Sequence, residues 1–257
     1  MESNRIKDTV YSAAGIIALL TAWEIASQSI GSSLILPGPF EVGGSLLRFG
    51  GEAKFWLAVL GTFRRVLTAF ALTMVLGSTA GVAAALSRGI DRFIAPLLAS
   101  IRATPVLALI LLAMFWLPSD SVPIFSSFLM AFPVVFTSVK AGIAAVDKEL
   151  LEMALVFKVP KLRQLSMLRI PSASMHFLSA MKNALGLCWK VVVAGEVLAQ
   201  PLRALGTGMQ DSRLALETSE VFSWAIVTIV LCGISEFSLG LLYNRARLVR
   251  SPQESDQ

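Results

Sequence analysis

Residues 66–86 read VLTAFALTMVLGSTAGVAAAL, 21 consecutive positions without a charged side chain. A run of that length matches the thickness of a bilayer core, which an α-helix crosses in about 20 residues. A helix also satisfies its own backbone hydrogen bonds, which hydrocarbon cannot do. Working outward, five more apolar stretches follow the same rule, at about 9–30, 93–117, 122–146, 174–199 and 222–243. The third contains the unbroken apolar run 106–117. The fifth is interrupted by Lys182, Lys190 and Glu196, and the sixth carries Glu236. The pattern predicts an all-α polytopic membrane protein with six transmembrane helices, forming a single domain over 1–257.

Composition agrees. Of the 257 residues 55% are hydrophobic and only 15% charged, with a mean hydropathy of +0.72. Soluble domains run near about 45–50% and 25% respectively, so a soluble enzyme is excluded, as is a solvated disordered chain. Arg5 and Lys7 ahead of the first apolar run resemble the start of a signal peptide. Glu24 after the run and the lack of an Ala-x-Ala site favour an uncleaved helix. The net charge of +5 needs no nucleic acid to explain it. With the N terminus inside, twelve of the 22 basic residues fall on cytoplasmic segments, six on outer segments and four within spans. That asymmetry places both termini in the cytoplasm. Cys188 and Cys232 lie inside apolar runs and His176 is the only histidine, so no metal-ligand set or disulfide framework assembles. No clustered nucleophile and base point to an enzyme.

The connection 147–173 is long, charge-rich and helical in pattern. Leu151, Leu155, Val159 and Leu162 recur at spacings of four, four and three. On the residues alone this is an amphipathic element that either lies on lipid headgroups or docks a cytoplasmic partner. Its details carry a resemblance. Glu152-Met153-Ala154, followed by Lys158 and by Leu168-Arg169-Ile170-Pro171-Ser172-Ala173, resembles the EAA loop of binding-protein-dependent ABC transporter permeases. Glu152 and Pro171 stand 19 residues apart, as in that loop. Met153 replaces the usual Ala, and Lys158 replaces the usual Gly, which removes a flexible turn and adds charge. Leu36-Pro37-Gly38-Pro39, Arg102-Ala103-Thr104-Pro105, Ala184-Leu185-Gly186 with Val193-Ala194-Gly195-Glu196, and Leu205-Gly206-Thr207-Gly208 are similar to segments of the nitrate/sulfonate/taurine branch, in the same order.

The resemblance implies a type I ABC importer permease with the MetI-like fold. It implies a homodimer in a bacterial plasma (inner) membrane, serving a small solute such as a sulfonate, taurine or nitrate. The partners it implies are cytoplasmic ATPase subunits, which hold ATP and Mg, and an extracytoplasmic substrate-binding protein. The chain has no G-x-x-x-x-G-K-[ST] phosphate cradle of its own. The ATPase-coupling residues so implied are Leu151, Glu152, Met153, Ala154, Leu155, Lys158, Lys161, Leu162, Arg163 and Pro171. Pro171 is expected to break the chain between the loop and the fifth span.

Charges within spans cost about 2.5–3.5 kcal/mol each at a helix centre. Lys190, with Lys182, Asn183, Gly186 and Trp189 nearby, is expected to form a polar strip along a substrate pathway. The alternatives are that Lys182 snorkels to the headgroups and that Lys190 pairs with Glu236 or Glu24. Glu196 is expected at an outer gate or as an interfacial cap. Gly77-x-x-x-Gly81 reads as a helix-packing surface. Trp23, Trp56, Trp116 and Trp224 mark span ends. Two other classes remain possible on the sequence: an ion-gradient-driven secondary transporter, against which the lack of internal repeats speaks, and a non-transport assembly or signalling subunit.

Overall fold

The computed structural model describes the backbone of residues 2–250. Side chains at 2–9, 12, 148, 162, 242 and 244–250 lie outside the described residues. The side chain of Leu162 is therefore outside them, as are those of Arg5, Lys7, Lys148, Arg245, Arg247 and Arg250 from the charge asymmetry.

Three helices form the centre: α3 (Ala53–Leu86), α6 (Val122–Ala144) and α10 (Ser174–Ala199). α6 packs against both of the others. Small residues set that spacing. A Cβ added at Gly77 would sit 3.0 Å from the Val135 side chain, and one at Gly81 would sit 2.8 Å from the Phe136 carbonyl oxygen. The Gly-x-x-x-Gly surface on α3 thus faces α6 and lets the two backbones approach. Val66, Ala69, Ala131, Val135, Ala184, Cys188 and Val192 fill the core between the three.

The outer elements attach to this trio. α12 (Thr218–Arg250) packs on α10, and the amphipathic α2 (Pro39–Gly50) packs on α12. α1 (Glu2–Ile30) touches the rest chiefly through the segment that links it to α2. There the Trp23 Nε1–H donates to the Pro37 carbonyl, the Ser27 hydroxyl donates to the Leu36 carbonyl, and Trp23 stacks on Phe222 of α12. The short α11 (Leu205–Leu214) follows α10 and rests on α12.

Among the described residues five helices are long and apolar enough to cross a membrane: those containing 13–30, 53–86, 122–144, 174–199 and 218–241. The expected third span, 93–117, is not one rod. It divides into α4 (Arg88–Ala103) and α5 (Val106–Met114), bent by 98°, and counts as a sixth span only if the bent pair is taken together. The cause is Thr104-Pro105. Proline has no N–H to donate and holds the residue before it out of the helical region, and Thr104 sits at φ −80°, ψ 124°. The second span also differs in extent. α3 begins at Ala53 rather than near 66, and its 34 residues reach about 51 Å at 1.5 Å each, well beyond a core of about 30 Å. Arg64 and Arg65, two of the six outer basic residues, therefore sit within this helix.

The connection 147–173 is α7 (Lys148–Val156), a turn, α8 (Lys161–Gln164), one π-helical stretch (Leu165–Arg169) and α9 (Ile170–Ser172). The single amphipathic helix expected from Leu151 to Leu162 is interrupted. Lys158 adopts φ +49° and Pro160 follows, so the apolar stripe is split between two short helices. Pro171 does not break the chain as expected. Ile170 before it stays helical at φ −65°, and Ile170 N–H donates to the Leu165 carbonyl in the wider π register. The proline is absorbed by that register change, and helical backbone runs almost without a gap from Lys161 into α10.

Candidate coupling surface and transport path

α7 starts where Asp147 caps it, its carboxylate accepting from the Glu149 amide at 2.9 Å. It ends in a turn where Lys158 takes the left-handed conformation that glycine usually supplies. The Lys158 and Val159 amides donate back to the carbonyls of Leu155 and Ala154, at 3.0 and 2.9 Å. The absence of glycine therefore leaves the turn in place. Gln164, buried, donates from its side-chain amide to the Val159 carbonyl at 2.8 Å and ties the turn to α8. Arg169 reaches the Ile143 carbonyl of α6 at 3.4 Å, and the Tyr243 hydroxyl of α12 donates to the Ser174 carbonyl at 3.0 Å.

The sequence-derived coupling residues divide by face. Ala154 is 3% exposed and turned inward, Leu151 is half-buried, and Glu152, Lys158, Lys161, Arg163 and Pro171 are exposed. Met153, Leu155, Val156 and Phe157 are also exposed, the last two at 78% and 74%. Four large apolar side chains on one short helix and its turn, flanked by charge, form the kind of patch that marks a contact site. A cavity of about 640 Å³, lined by Ser78, Val139, Ile143, Ile170, Phe177 and Tyr243, separates the π stretch from the helices beneath it.

On α10, Lys182, Asn183 and Lys190 are exposed on the surface of the protomer, whereas Gly186 and Trp189 are buried. Trp189 is 1% exposed and packs against Phe63 of α3, so its indole belongs to the interior. A Cβ at Gly186 would lie 2.3 Å from a Glu236 carboxylate oxygen, so the glycine admits Glu236 of α12. Among the described residues no ion pair includes Lys182, Lys190, Glu24 or Glu236, so the static pairing considered for Lys190 is not present. Glu24 accepts instead from Gln28, and Glu236 from the Cys232 thiol.

Glu196 lies at the far end of α10, fully buried and turned into the protomer. One carboxylate oxygen accepts from Arg65 Nη1 at 2.9 Å. The other accepts from the Thr62 hydroxyl at 2.9 Å and the Gly206 amide at 3.1 Å. Arg65, 2% exposed, also bonds Asp120 in the α5–α6 turn and the carbonyls of Leu202 and Arg203. α3 presents Gly61 to the same loop, where a Cβ would fall 2.0 Å from the Arg203 carbonyl oxygen. This hub joins α3, α10, the α5–α6 turn and the approach to α11. Sequence reasoning placed Glu196 near this end and missed its partner. Opposite charges at the ends of two spans on the same side of the membrane were the available signal. Among the described residues no group of three or more His, Cys, Asp or Glu is arranged to hold a metal ion.

Three kinds of similarity bear on this geometry. The taurine transport system permease protein TauC of Escherichia coli (strain K12) is 26% identical over 246 residues, covering 93% of this chain and 89% of that protein. The bicarbonate transport system permease protein CmpB of Synechococcus elongatus is 24% identical, covering 90% and 84%. Among solved structures, an inward-facing form of the MetNI methionine ABC transporter superposes with a TM-score of 0.66 at 14% identity, covering 76% of this chain and 98% of that one. An amino acid ABC transporter structure gives 0.59 at 19%. Both structures share the fold. The sequence pattern of the binding-protein-dependent transport system inner membrane components matches residues 73–248, from the middle of α3 nearly to the end of α12. The chain therefore belongs to that family.

Proposed function

We propose that this permease subunit works as a homodimer that passes a small oxyanion-bearing solute inward, driven by separate ATPase subunits seated on 147–173. The carrying observation is the apolar patch of Met153, Leu155, Val156 and Phe157, exposed on a short helix and on a turn that Gln164 ties to α8. A cluster of exposed apolar side chains flanked by charge is the kind of patch that marks a protein contact. Glu152, Lys158, Lys161 and Arg163 surround the patch and orient the docked ATPase, which carries ATP and Mg. Leu151 and Ala154 brace the helix from behind, Leu162 continues the same segment, and Pro171 leads it into α10.

The solute class rests on the relatives, whose names specify taurine and bicarbonate; both solutes present an oxyanion group. The unpaired Lys190, midway along α10 and exposed on the protomer, supports a second copy or a water-filled path over that face. In this reading Lys182, Asn183 and Lys190 line the path with Gly186 and Trp189 behind them, and Glu196 holds the outer end. A substrate-binding protein delivers the solute there, and both termini face the cytoplasm.

The test is purification of the tagged chain in mild detergent, with identification of its companions and assay of ATP hydrolysis. A stoichiometric ATPase is expected, and Glu152→Arg is expected to abolish its retention and the stimulated hydrolysis while insertion and dimerisation persist. Normal stimulation in that variant removes the docking assignment.

A further inference from the structure

We infer that Arg102, at the break between α4 and α5, is an anion-contacting residue of the transport path; the inference rests on the importer reading above. Its depth follows from α6. That helix has 23 residues, Val122–Ala144, and Arg102 Nη2 lies 3.5 Å from the carbonyl oxygen of Pro133, its central residue. Roughly 17 Å of helix then separates the guanidinium from either end of α6, a distance no arginine side chain bridges by snorkelling. The cation is held at mid-membrane. Among the described residues it has no acidic partner, since Asp91, the acid on its own helix, pairs with Lys140. Among the described residues its one protein hydrogen bond is the long one to Pro133.

The surroundings are open rather than packed. Arg102 is exposed and lines a cavity of about 400 Å³ together with Met130, Pro133, Thr137 and Ser138. The Thr137 hydroxyl donates to the Pro133 carbonyl, so of the two the guanidinium is the donor group left to meet an anion here. Ser138 carries a further hydroxyl at the rim. An always-charged, planar donor fork matches an oxyanion head better than an ammonium does. Lipid phosphate lies at the membrane surface, far from this depth, so the anion that meets Arg102 is one travelling through the protein.

Two measurements on the reconstituted complex, with its ATPase and binding protein, test this. First, wild-type proteoliposomes are assayed for ATP-dependent uptake of labelled taurine and of bicarbonate. With whichever solute enters, Arg102→Gln is expected to lower uptake by about tenfold or more, the factor carried by a lost hydrogen bond to a charged group. Arg102→Lys is expected to restore part of the rate, and binding-protein-stimulated ATP hydrolysis is expected to persist in both variants. Unchanged uptake in Arg102→Gln overturns the inference, and so does loss of stimulated hydrolysis together with transport, which marks a structural role. Second, Arg102→Cys, with Cys188 and Cys232 replaced by alanine, is treated with a membrane-impermeant, negatively charged thiosulfonate. Labelling supports a water-accessible position, and failure to label refutes it. If neither solute enters wild-type vesicles, the solute class proposed above fails, and the labelling result still decides whether Arg102 faces an aqueous path.

Discussion

Substituting Glu196 by Gln changes one atom in a fully buried site, and the surrounding donors fix its cost. Both carboxylate oxygens are occupied, one by Arg65 Nη1 and the other by the Thr62 hydroxyl and the Gly206 amide. Whichever oxygen becomes an NH2 group then faces a donor, and Arg65 loses its buried countercharge. Breaking one side of a buried ion pair costs about 3–5 kcal/mol. Arg65 keeps Asp120 and two carbonyls, which places the expected loss near the low end, about 3 kcal/mol. At about 2–4 °C per kcal/mol for a chain of this size, the thermal midpoint should fall by about 6–12 °C. The assay is thermal unfolding in detergent followed by a thiol-reactive fluorophore, for which the buried Cys188 serves as reporter. Arg65→Met and the double variant Arg65→Met/Glu196→Gln complete a cycle. The double variant should lose less than the sum of the two single losses, by about 0.5–3 kcal/mol. A Glu196→Gln midpoint within about 2 °C of the parent, less than 1 kcal/mol, or strict additivity in the cycle, refutes the reasoning.

Three other substitutions probe separate parts of the fold. Lys158→Gly should be neutral or stabilising by up to about 1 kcal/mol, because the left-handed turn suits glycine, whereas Lys158→Val should cost about 1–2 kcal/mol; thermal midpoints of the two, measured side by side, check the sign. Ala154→Leu forces a large side chain into an inward-facing position that is 3% exposed, at about 1–3 kcal/mol. Co-purification should show it releasing the ATPase even though residue 154 is not on the exposed patch. Gly61→Ala places a Cβ on the Arg203 carbonyl, so the purified protein should unfold at lower temperature, by an amount comparable to Arg65→Met and not additive with it.

The spans were legible because hydropathy and length are properties of the chain alone. The fifth span coincides with α10, and the fourth ends within two residues of α6. Errors arose where a local rule met a tertiary one. Thr104-Pro105 bends a run whose apolar character is unbroken from 106 onward, and hydropathy has no term for direction. Pro171, by contrast, sits in a segment that α6 and α12 hold through Arg169 and Tyr243, so its tendency to break a helix is met by a change of register. Periodicity marks 147–173 as helical, but it runs on through Lys158 and Pro160 as though the turn were absent. The buried hub was the least legible part. Arg65 lies 131 positions from Glu196 in sequence, beyond the reach of any local pattern.

The near-continuous helix from the π stretch into α10 joins the 147–173 connection to the hub. α10 alone has 26 residues, so it reaches about 39 Å. A rod of that length tilted by about 5° at one end moves its other end by about 3 Å. That displacement is the diameter of a water molecule or of one oxygen of a solute's head group. With Glu196 clamped by Arg65 at one end and the cavity beneath the π stretch leaving room at the other, the lever has a fixed fulcrum and a free handle. Small angular strokes applied at the 147–173 end would then suffice, on the proposed reading, to change a gap one atom wide, and the helix carrying them need neither melt nor slide.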